Sequence, residues 1–251
     1  MNVVKIMGGL GNQLFQYAFA KNLEKYGPVG LDISFYSSKE NHNGHFLPRD
    51  FGLHRFNTGF ALADYDLNAE EVTESTYDPD KKYENTSFWG YWQRARYSKD
   101  LDLAEDFTLK DEYLKDSIKF IADEMANCNS VAVHVRRTDY VKMNWQTDPK
   151  YFIRAKKAIE ERVEDPKYYV FSDHLDWCYD NLPFRGAKYI HRRDFEDFYL
   201  MQHAKNNIIT NSTFSWWAAY TNKNKGVVVA PEKWISGVEW SPLDFEGWVK
   251  L

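Results

Sequence analysis

A chain of 251 residues, 43% hydrophobic and carrying 9 Trp, 17 Tyr and 17 Phe, is long enough for one large domain or two small ones around a substantial core. Its formal net charge of −5 argues against a nucleic-acid-binding surface, so any basic site has to be local. No stretch approaches the roughly 20 apolar residues of a membrane span, and 2 cysteines, Cys128 and Cys178, are too few for a disulfide framework or a zinc site.

Met1-Asn2-Val3-Val4-Lys5 opens into a core strand instead of a signal sequence. The expected compartment is the cytoplasm, with attachment to the inner face of the membrane as its variant, and the sequons at Asn85 and Asn211 are then expected to carry no glycan. Val3 to Met7 reads as a compact apolar strand, and Gly8-Gly9-Leu10-Gly11 turns it into a helix from Asn12 to about Tyr26. Leu14, Phe15, Ala18, Phe19 and Leu23 recur at helical spacing, and Gly27-Pro28 ends the helix. Val29 to Asp32 is a second short strand. From Ser34 to about Asp80 no clean period survives, and mixed short helices and loops are expected there.

At Val131 the alternation resumes. A strand running into Val135 is followed by a helix from about Asp148 to Arg162, a strand from Tyr168 to Phe171 and a helix from Asp173 to about Asp180. A strand near Lys188 to Ile190, a helix from Asp194 to His203, a strand from Ile208 to Thr210, a helix from Ser212 to Tyr220 and a closing strand from Val227 to Ala230 complete it. Strands alternating with helices in this way form a doubly wound α/β sheet. The domain boundary is expected between about Asp116 and Cys128, giving segments 1–122 and 123–251.

The chemistry collects where apolar strands end. Val131-Ala132-Val133-His134-Val135-Arg136-Arg137-Thr138-Asp139-Tyr140 is a buried strand that breaks into charge, and ligands of open α/β sheets sit beyond such carboxyl ends. Arg136 and Arg137 offer planar forks of donors suited to a diphosphate, although surface salt bridges at an edge strand fit an isolated Arg-Arg pair equally well. Asn211-Ser212-Thr213-Phe214 follows a strand and starts a helix, which makes either an anion site or an ordinary N-cap. Asp173 ends another strand, where it can accept two hydrogen bonds from a guanine edge or a ribose, cap the helix starting at His174, or do both. The turn Gly9-Leu10-Gly11-Asn12-Gln13 brings backbone N–H groups and two amides to a helix start, for a ligand or only for a tight turn. It does not complete a dinucleotide fingerprint, because Leu14 stands where the third glycine is needed, although Asp32 lies about twenty residues on.

Together, Gly8-Gly9-Leu10-Gly11-Asn12-Gln13-Leu14-Phe15-Gln16-Tyr17-Ala18, Gly90-Tyr91-Trp92-Gln93, His134-Val135-Arg136-Arg137-Thr138-Asp139-Tyr140, Phe171-Ser172-Asp173 and Asn211-Ser212-Thr213-Phe214-Ser215-Trp216-Trp217 resemble the α-1,2-fucosyltransferases of glycosyltransferase family 11. The order and spacing run essentially end to end. The resemblance implies a GT-B arrangement of two Rossmann-like halves facing across a cleft. GDP-fucose would be held by the C-terminal half and a galactose-terminated acceptor mainly by the N-terminal half, with inverting transfer to the galactose 2-hydroxyl and neither metal nor other cofactor. Thr138 stands where family members usually carry Gly, and a β-branched residue disfavours positive φ, so the loop carrying Asp139 is expected to differ slightly.

Breaking the fucose C1–O bond puts charge on the β-phosphate, which fixed positive groups stabilise. Arg136 is the first candidate, assisted by Arg137, Ser212, Thr213 and the adjacent N–H groups. Asp139 and His134 are the nearest candidates to take the acceptor's proton, and His134 equally fits a hydrogen-bonded strand end touching the nucleotide. Gly9, Gly11, Asn12, Gln13, Arg137, Asp173, Ser212, Thr213, Phe214 and Trp145 complete the expected substrate-binding set. A galactoside is expected to meet Trp145 or a residue of Gly90-Tyr91-Trp92-Gln93, unless Tyr91 and Trp92 are core. Asp64-Tyr65-Asp66, Asp78-Pro79-Asp80 and Asp100-Leu101-Asp102 match the Asp-x-Asp of metal-dependent transferases, but so Asp-rich a chain yields roughly two such triplets by chance. The alternatives are another nucleotide-sugar transferase of GT-B type and a nucleotide- or glycan-binding module without turnover.

Overall fold

The short apolar runs near the N-terminus pair as parallel strands, which is why they lack the alternation of a half-exposed sheet. In the computed structural model, which describes residues 1–39, 48–64, 68–98, 100–234 and 247–251, the chain divides into two units, Met1–Thr108 and Leu109–Leu251. In unit 1, β1 (Asn2–Lys5), α1 (Leu10–Leu23), β2 (Val29–Asp32), β3 (Ala61–Leu62), β4 (Glu70–Thr73) and β5 (Thr86–Trp89) build a sheet ordered β3-β2-β1-β5-β4, parallel at every pairing. Val3 faces Gly30 on one side and Ser87 on the other, so β1 is central. The core beneath is aromatic: Phe19 of α1 stacks on Trp92 at 3.7 Å, with Tyr77, Phe88 and Tyr97 edge-on around it. Much of the chain's surplus of rings is spent there.

Unit 2 comprises α2 (Asp116–Ala126), β6 (Ser130–Val135), α3 (Thr138–Lys142), α4 (Pro149–Glu160), β7 (Lys167–Ser172), α5 (Leu175–Asn181), β8 (Lys188–Ile190), α6 (Asp194–His203), β9 (Asn206–Ile208), α7 (Thr213–Tyr220), β10 (Val228–Ala230) and β11 (Val249–Lys250). Its six parallel strands run β11-β10-β9-β6-β7-β8. The connections leave β6 toward β7 on one side and return to β9 on the other, so the order reverses between β6 and β9. That reversal opens a crevice at the carboxyl ends of those two strands. This core is mainly aliphatic, with Val131, Val133, Val135, Ile159, Val170, Ile208 and Val229 buried around Phe152 and Phe184.

Both halves are α/β with parallel sheets, as the alternating pattern implies. Three details differ from the sequence reading. The division falls at Thr108/Leu109, ahead of the expected boundary, because α2 buries Ile118, Ala122 and Met125 and packs against α6 of unit 2. β3 and β4 lie inside the stretch read as irregular; Ala61, Leu62, Glu70 and Glu71 are exposed, so neither strand shows an apolar run. β9 begins two residues earlier than its apolar residues suggest, since the buried amides of Asn206 and Asn207 donate to the Ser130 and Met201 carbonyls and so tolerate a buried strand. Among the described residues no helix is long and apolar enough to cross a membrane.

Candidate active site

Because β6 and β7 are neighbours with Val135 opposite Ser172, the residues just past each strand end are brought together. Arg136 is clamped there between two carboxylates: Nη2 lies 2.7 Å from Asp139 Oδ2 and Nη1 lies 2.9 Å from Asp173 Oδ2. Asp173 Oδ1 also accepts from the Arg137 N–H at 2.9 Å, while Oδ2 accepts from the Thr138 N–H at 3.2 Å and from the Thr138 hydroxyl. Burial alone raises the Asp173 pKa, but Arg136, Thr138 and the Arg137 N–H outweigh it and hold the carboxyl below its usual value. Asp173 therefore caps the start of α3. It does not cap α5, where the His174 N–H goes to the Ser172 hydroxyl at 3.0 Å, and its oxygens are committed within the protein instead of facing a base. Thr138 adopts no positive φ; as the first residue of α3 it adds a hydroxyl bond that glycine lacks.

Arg137 points its guanidinium onto the Trp177 ring, 3.3 Å from its centroid. Taken together, Arg136, Arg137, Asp139 and Asp173 sum to zero charge, so an anion here depends on further donors. These lie across the reversal of strand order. His134 Nδ1 is 3.3 Å from the Thr210 hydroxyl, which joins the ends of β6 and β9. Asn211 and Ser212 follow, both buried, and α7 starts at Thr213 with no capping bond from the Ser212 side chain. Phe214 lies against the His134 ring at 5.5 Å. Burial, reinforced by Arg136 and opposed by Asp173, pushes the His134 pKa down to about 3. The ring is buried and bonded to Thr210, as a hydrogen-bonding strand-end residue is.

The unit 1 residues have separate fates. Gly8 adopts φ +79°, and a Cβ there would sit 2.8 Å from Asn12 Nδ2, so glycine is required both by the turn and by the amide above it. Gly9 is the N-cap of α1, and Gly11 is buried in its first turn. Asn12 Oδ1 accepts from Gln93 Nε2 at 3.0 Å. Gln13 is fully buried: its Oε1 takes the Gly52 N–H at 2.7 Å and its Nε2 donates to the Gly8 and Asp50 carbonyls. Its amide is spent holding loops, so the expected ligand contact is replaced by a structural one. Asp32 likewise turns inward, accepting from the Ser34 N–H and hydroxyl. Of the Asp-x-Asp triplets, Asp66 lies outside the described residues. Among the described residues, no group of three or more His, Cys, Asp or Glu is placed to hold a metal.

The profile of glycosyl transferase family 11 matches residues 47–241. The chain belongs to glycosyl transferase family 11. It is 30% identical to an α-1,2-colitosyltransferase of Escherichia coli over 99% of this chain and 98% of that one, and 25% identical to galactoside α-(1,2)-fucosyltransferase 2 of Gorilla gorilla gorilla over 92% and 71%. The crystal structure of NodZ α-1,6-fucosyltransferase soaked with GDP-fucose superposes with a TM-score of 0.55 at 15% identity, covering 87% of this chain and 91% of that one. At that identity the likeness concerns the fold, a GT-B pair of Rossmann-like halves.

Two further residues of this family 11 chain complete the picture. Trp145 is 40% exposed, its ring edge-on to Tyr140 at 5.9 Å and its carbonyl accepting from Asn211 Nδ2 at 2.8 Å, so it stands beside the start of α7. Asp197, absent from the sequence reading, is 7% exposed in the first turn of α6. Its Oδ2 accepts from the Arg192 N–H at 3.3 Å, and its Oδ1, though buried, meets no donor among the described residues. Burial, partly countered by that N–H and reinforced by Glu196, pushes its pKa up to about 7. α6 crosses from β8 back to β9 and begins at the same sheet edge as Arg136; the next residue, Phe198, packs on Phe214 at 5.6 Å. In sequence Asp197 is masked by Asp194 and Glu196, since acids crowding a helix start ordinarily answer the helix dipole.

Proposed function

We propose that this protein transfers L-fucose from GDP-fucose to the 2-hydroxyl of a terminal β-galactoside, with inversion and without a metal. The observation that carries the reading is the fixed guanidinium of Arg136 at the β6 exit, one strand from the start of α7, where a diphosphate would meet a positive fork beside a helix N-terminus. Asp139 and Asp173 hold the plane of Arg136 before any ligand arrives, so no reorganisation is needed as charge develops.

In the proposed step, the galactose O2 attacks fucose C1 from the face opposite the diphosphate, the C1–O bond breaks, and its electron pair passes to the β-phosphate oxygen. The O2 proton goes to Asp139. Once protonated, Asp139 loses its charge, so Arg136 keeps its place while more of its positive charge is left uncompensated just as negative charge arrives at the diphosphate. Arg137, Ser212, Thr213 and the first N–H groups of α7 share that charge. Asp173, whose oxygens already accept from Arg136, Thr138 and the Arg137 N–H, stays structural. Asp197 takes the base instead, because guanine alone among the common bases presents two adjacent donors, N1–H and the 2-amino group, to a carboxylate.

A second donor deserves a direct comparison because of the 30% identity to a colitosyltransferase. Colitose is fucose without its 3-hydroxyl, so the two donors differ at one hydrogen-bonding group. The test is transfer from GDP-fucose, GDP-colitose, GDP-mannose and UDP-galactose to a panel of β-galactosides, with and without EDTA. Product linked α-1,2 from GDP-fucose, undiminished by chelator, is the expected result. Preference for GDP-colitose redirects the donor. Loss of transfer in EDTA, restored by Mg²⁺ or Mn²⁺, overturns the metal-free step, and GDP binding without transfer to any acceptor supports a non-catalytic module.

A further inference from the structure

Two glutamines in the first turns of α1 tie the loops at one edge of the unit 1 sheet. Gln16, fully buried, accepts the Met7 N–H through Oε1 at 2.9 Å and donates through Nε2 to the Gly90 carbonyl at 3.0 Å, joining the exits of β1 and β5. Gln13, three residues earlier, joins the β1 exit to the segment 50–52 through its three bonds. Tyr36, in the turn after β2, donates to the same Gly8 carbonyl at 3.1 Å. Loops from either side of the central strand are thus fixed at the carboxyl end of the sheet, where strand order reverses and open α/β sheets take ligands.

Beside the Glu74 carboxylate, which accepts the Tyr91 N–H at 3.3 Å, this edge presents rings and uncharged polar groups. Tyr91 is 45% exposed although its neighbour Trp92 is wholly buried. Burial and the adjoining Tyr91 phenol hold the Tyr36 hydroxyl protonated, far above the usual phenol value, so it acts as a donor. Gln93, half-buried, is oriented by its bond to Asn12. A ring face beside amides and protonated hydroxyls matches the alternating C–H faces and hydroxyls of an uncharged sugar.

We infer that Tyr91, with Gln93 and Tyr36, forms the subsite for the acceptor's terminal galactose. The inference rests on the proposed transfer to a β-galactoside. The four residues Gly90-Tyr91-Trp92-Gln93 divide accordingly: Trp92 belongs to the core, and Tyr91 and Gln93 to the ligand.

Saturation-transfer NMR with methyl β-D-galactopyranoside, recorded on the full chain in saturating GDP, reads the subsite directly, and calorimetry with GDP reads the donor side separately. The expected result is a galactoside signal in the wild type, its loss in Tyr91→Ala, and its retention in Tyr91→Phe, with GDP affinity within twofold throughout. In transfer assays Tyr91→Ala should raise the acceptor KM about tenfold with little change in kcat. An unchanged galactoside signal in Tyr91→Ala overturns the inference, as does the absence of any signal in a wild type that binds GDP. Failure of the wild type to bind GDP overturns the proposed function instead.

Discussion

Units 1 and 2 build the same kind of sheet edge from opposite materials. In unit 2 charged groups gather just beyond the strands: Arg136 is held by two carboxylates, and the buried Asp197 Oδ1 meets no donor among the described residues. In unit 1 the buried amides of Gln13 and Gln16 bond backbone groups, and the buried Asp32 carboxylate accepts from Ser34. Leaving a buried polar atom unfilled costs about 1–3 kcal/mol, more when it is charged. A protein tolerates that where a ligand completes the bond. Under the proposed function, unit 2 meets the charged diphosphate and unit 1 the uncharged sugar.

The sharpest attack on this contrast is Arg136→Lys. The charge survives but the planar fork that bridges Asp139 and Asp173 does not, so transfer should fall on the order of 10²-fold or more while the melting temperature stays close to wild type. Near-normal kcat would mean that unit 2 needs only positive charge at the β6 exit, not a preorganised guanidinium.

Trp92→Ala tests the other half. A fully buried ring stacked on Phe19 at 3.7 Å leaves a large cavity in the aromatic core, and about 3–5 kcal/mol of stability should be lost in denaturant titrations. A loss below about 1 kcal/mol would show that this core relaxes around the hole, and would return Trp92 to the candidates for sugar binding.

Asp197→Asn should separate stability from function. A carboxyl whose pKa rises from 3.8 to about 7 on folding stabilises the protein below pH 4, and that contribution disappears as pH rises through 7. The neutral amide removes the dependence, so without ligand the variant should be the more stable protein at pH 8 by up to a few kcal/mol, the gap closing by pH 4. His134 has the opposite sign: with its pKa lowered to about 3, its contribution is present above pH 6.5 and fades as pH falls toward 3. Comparing the two proteins cancels it. GDP affinity should meanwhile drop about tenfold to hundredfold, as expected for losing a charged hydrogen-bonding partner. Unchanged GDP binding would make Asp197 a mere burden on the fold.

These cases mark what the sequence makes legible. Parallel strands such as Val131–Val135 announce themselves by continuous apolarity, and helices such as Asp194–His203 by their period, because both signals are local. The charged break after Val135 is equally local, and the structure gathers Arg136, Asp139 and Asp173 there. The destination of a hydrogen bond is not local. Gln13 and Asp173 look like ligand contacts until residues 36 to 39 positions away claim them, and Asp197 looks like a helix-start acid until its burial is known. Edge strands β3 and β4 escape for a related reason: their exposed faces remove the apolar run that would reveal them.

Trp145 is where the division between halves is easiest to break. It belongs to unit 2, yet it is 40% exposed and beside Asn211 at the start of α7, within the region assigned to the diphosphate. An indole there has little to offer a phosphate, which is bound by N–H groups and guanidinium, but much to offer the C–H face of a sugar. Trp145→Ala should raise the acceptor KM several-fold, with GDP affinity and melting temperature nearly unchanged. Stability should hold because the indole is partly solvated and because its bond from Asn211 uses the backbone carbonyl, which alanine retains. Equal losses for donor and acceptor would mean that Trp145 shapes the α7 entrance. A selective acceptor effect would mean that Trp145 contacts the acceptor sugar. Should acceptor kinetics stay untouched, the galactose is left to Tyr91 and its neighbours, and the contrast between the halves holds without exception.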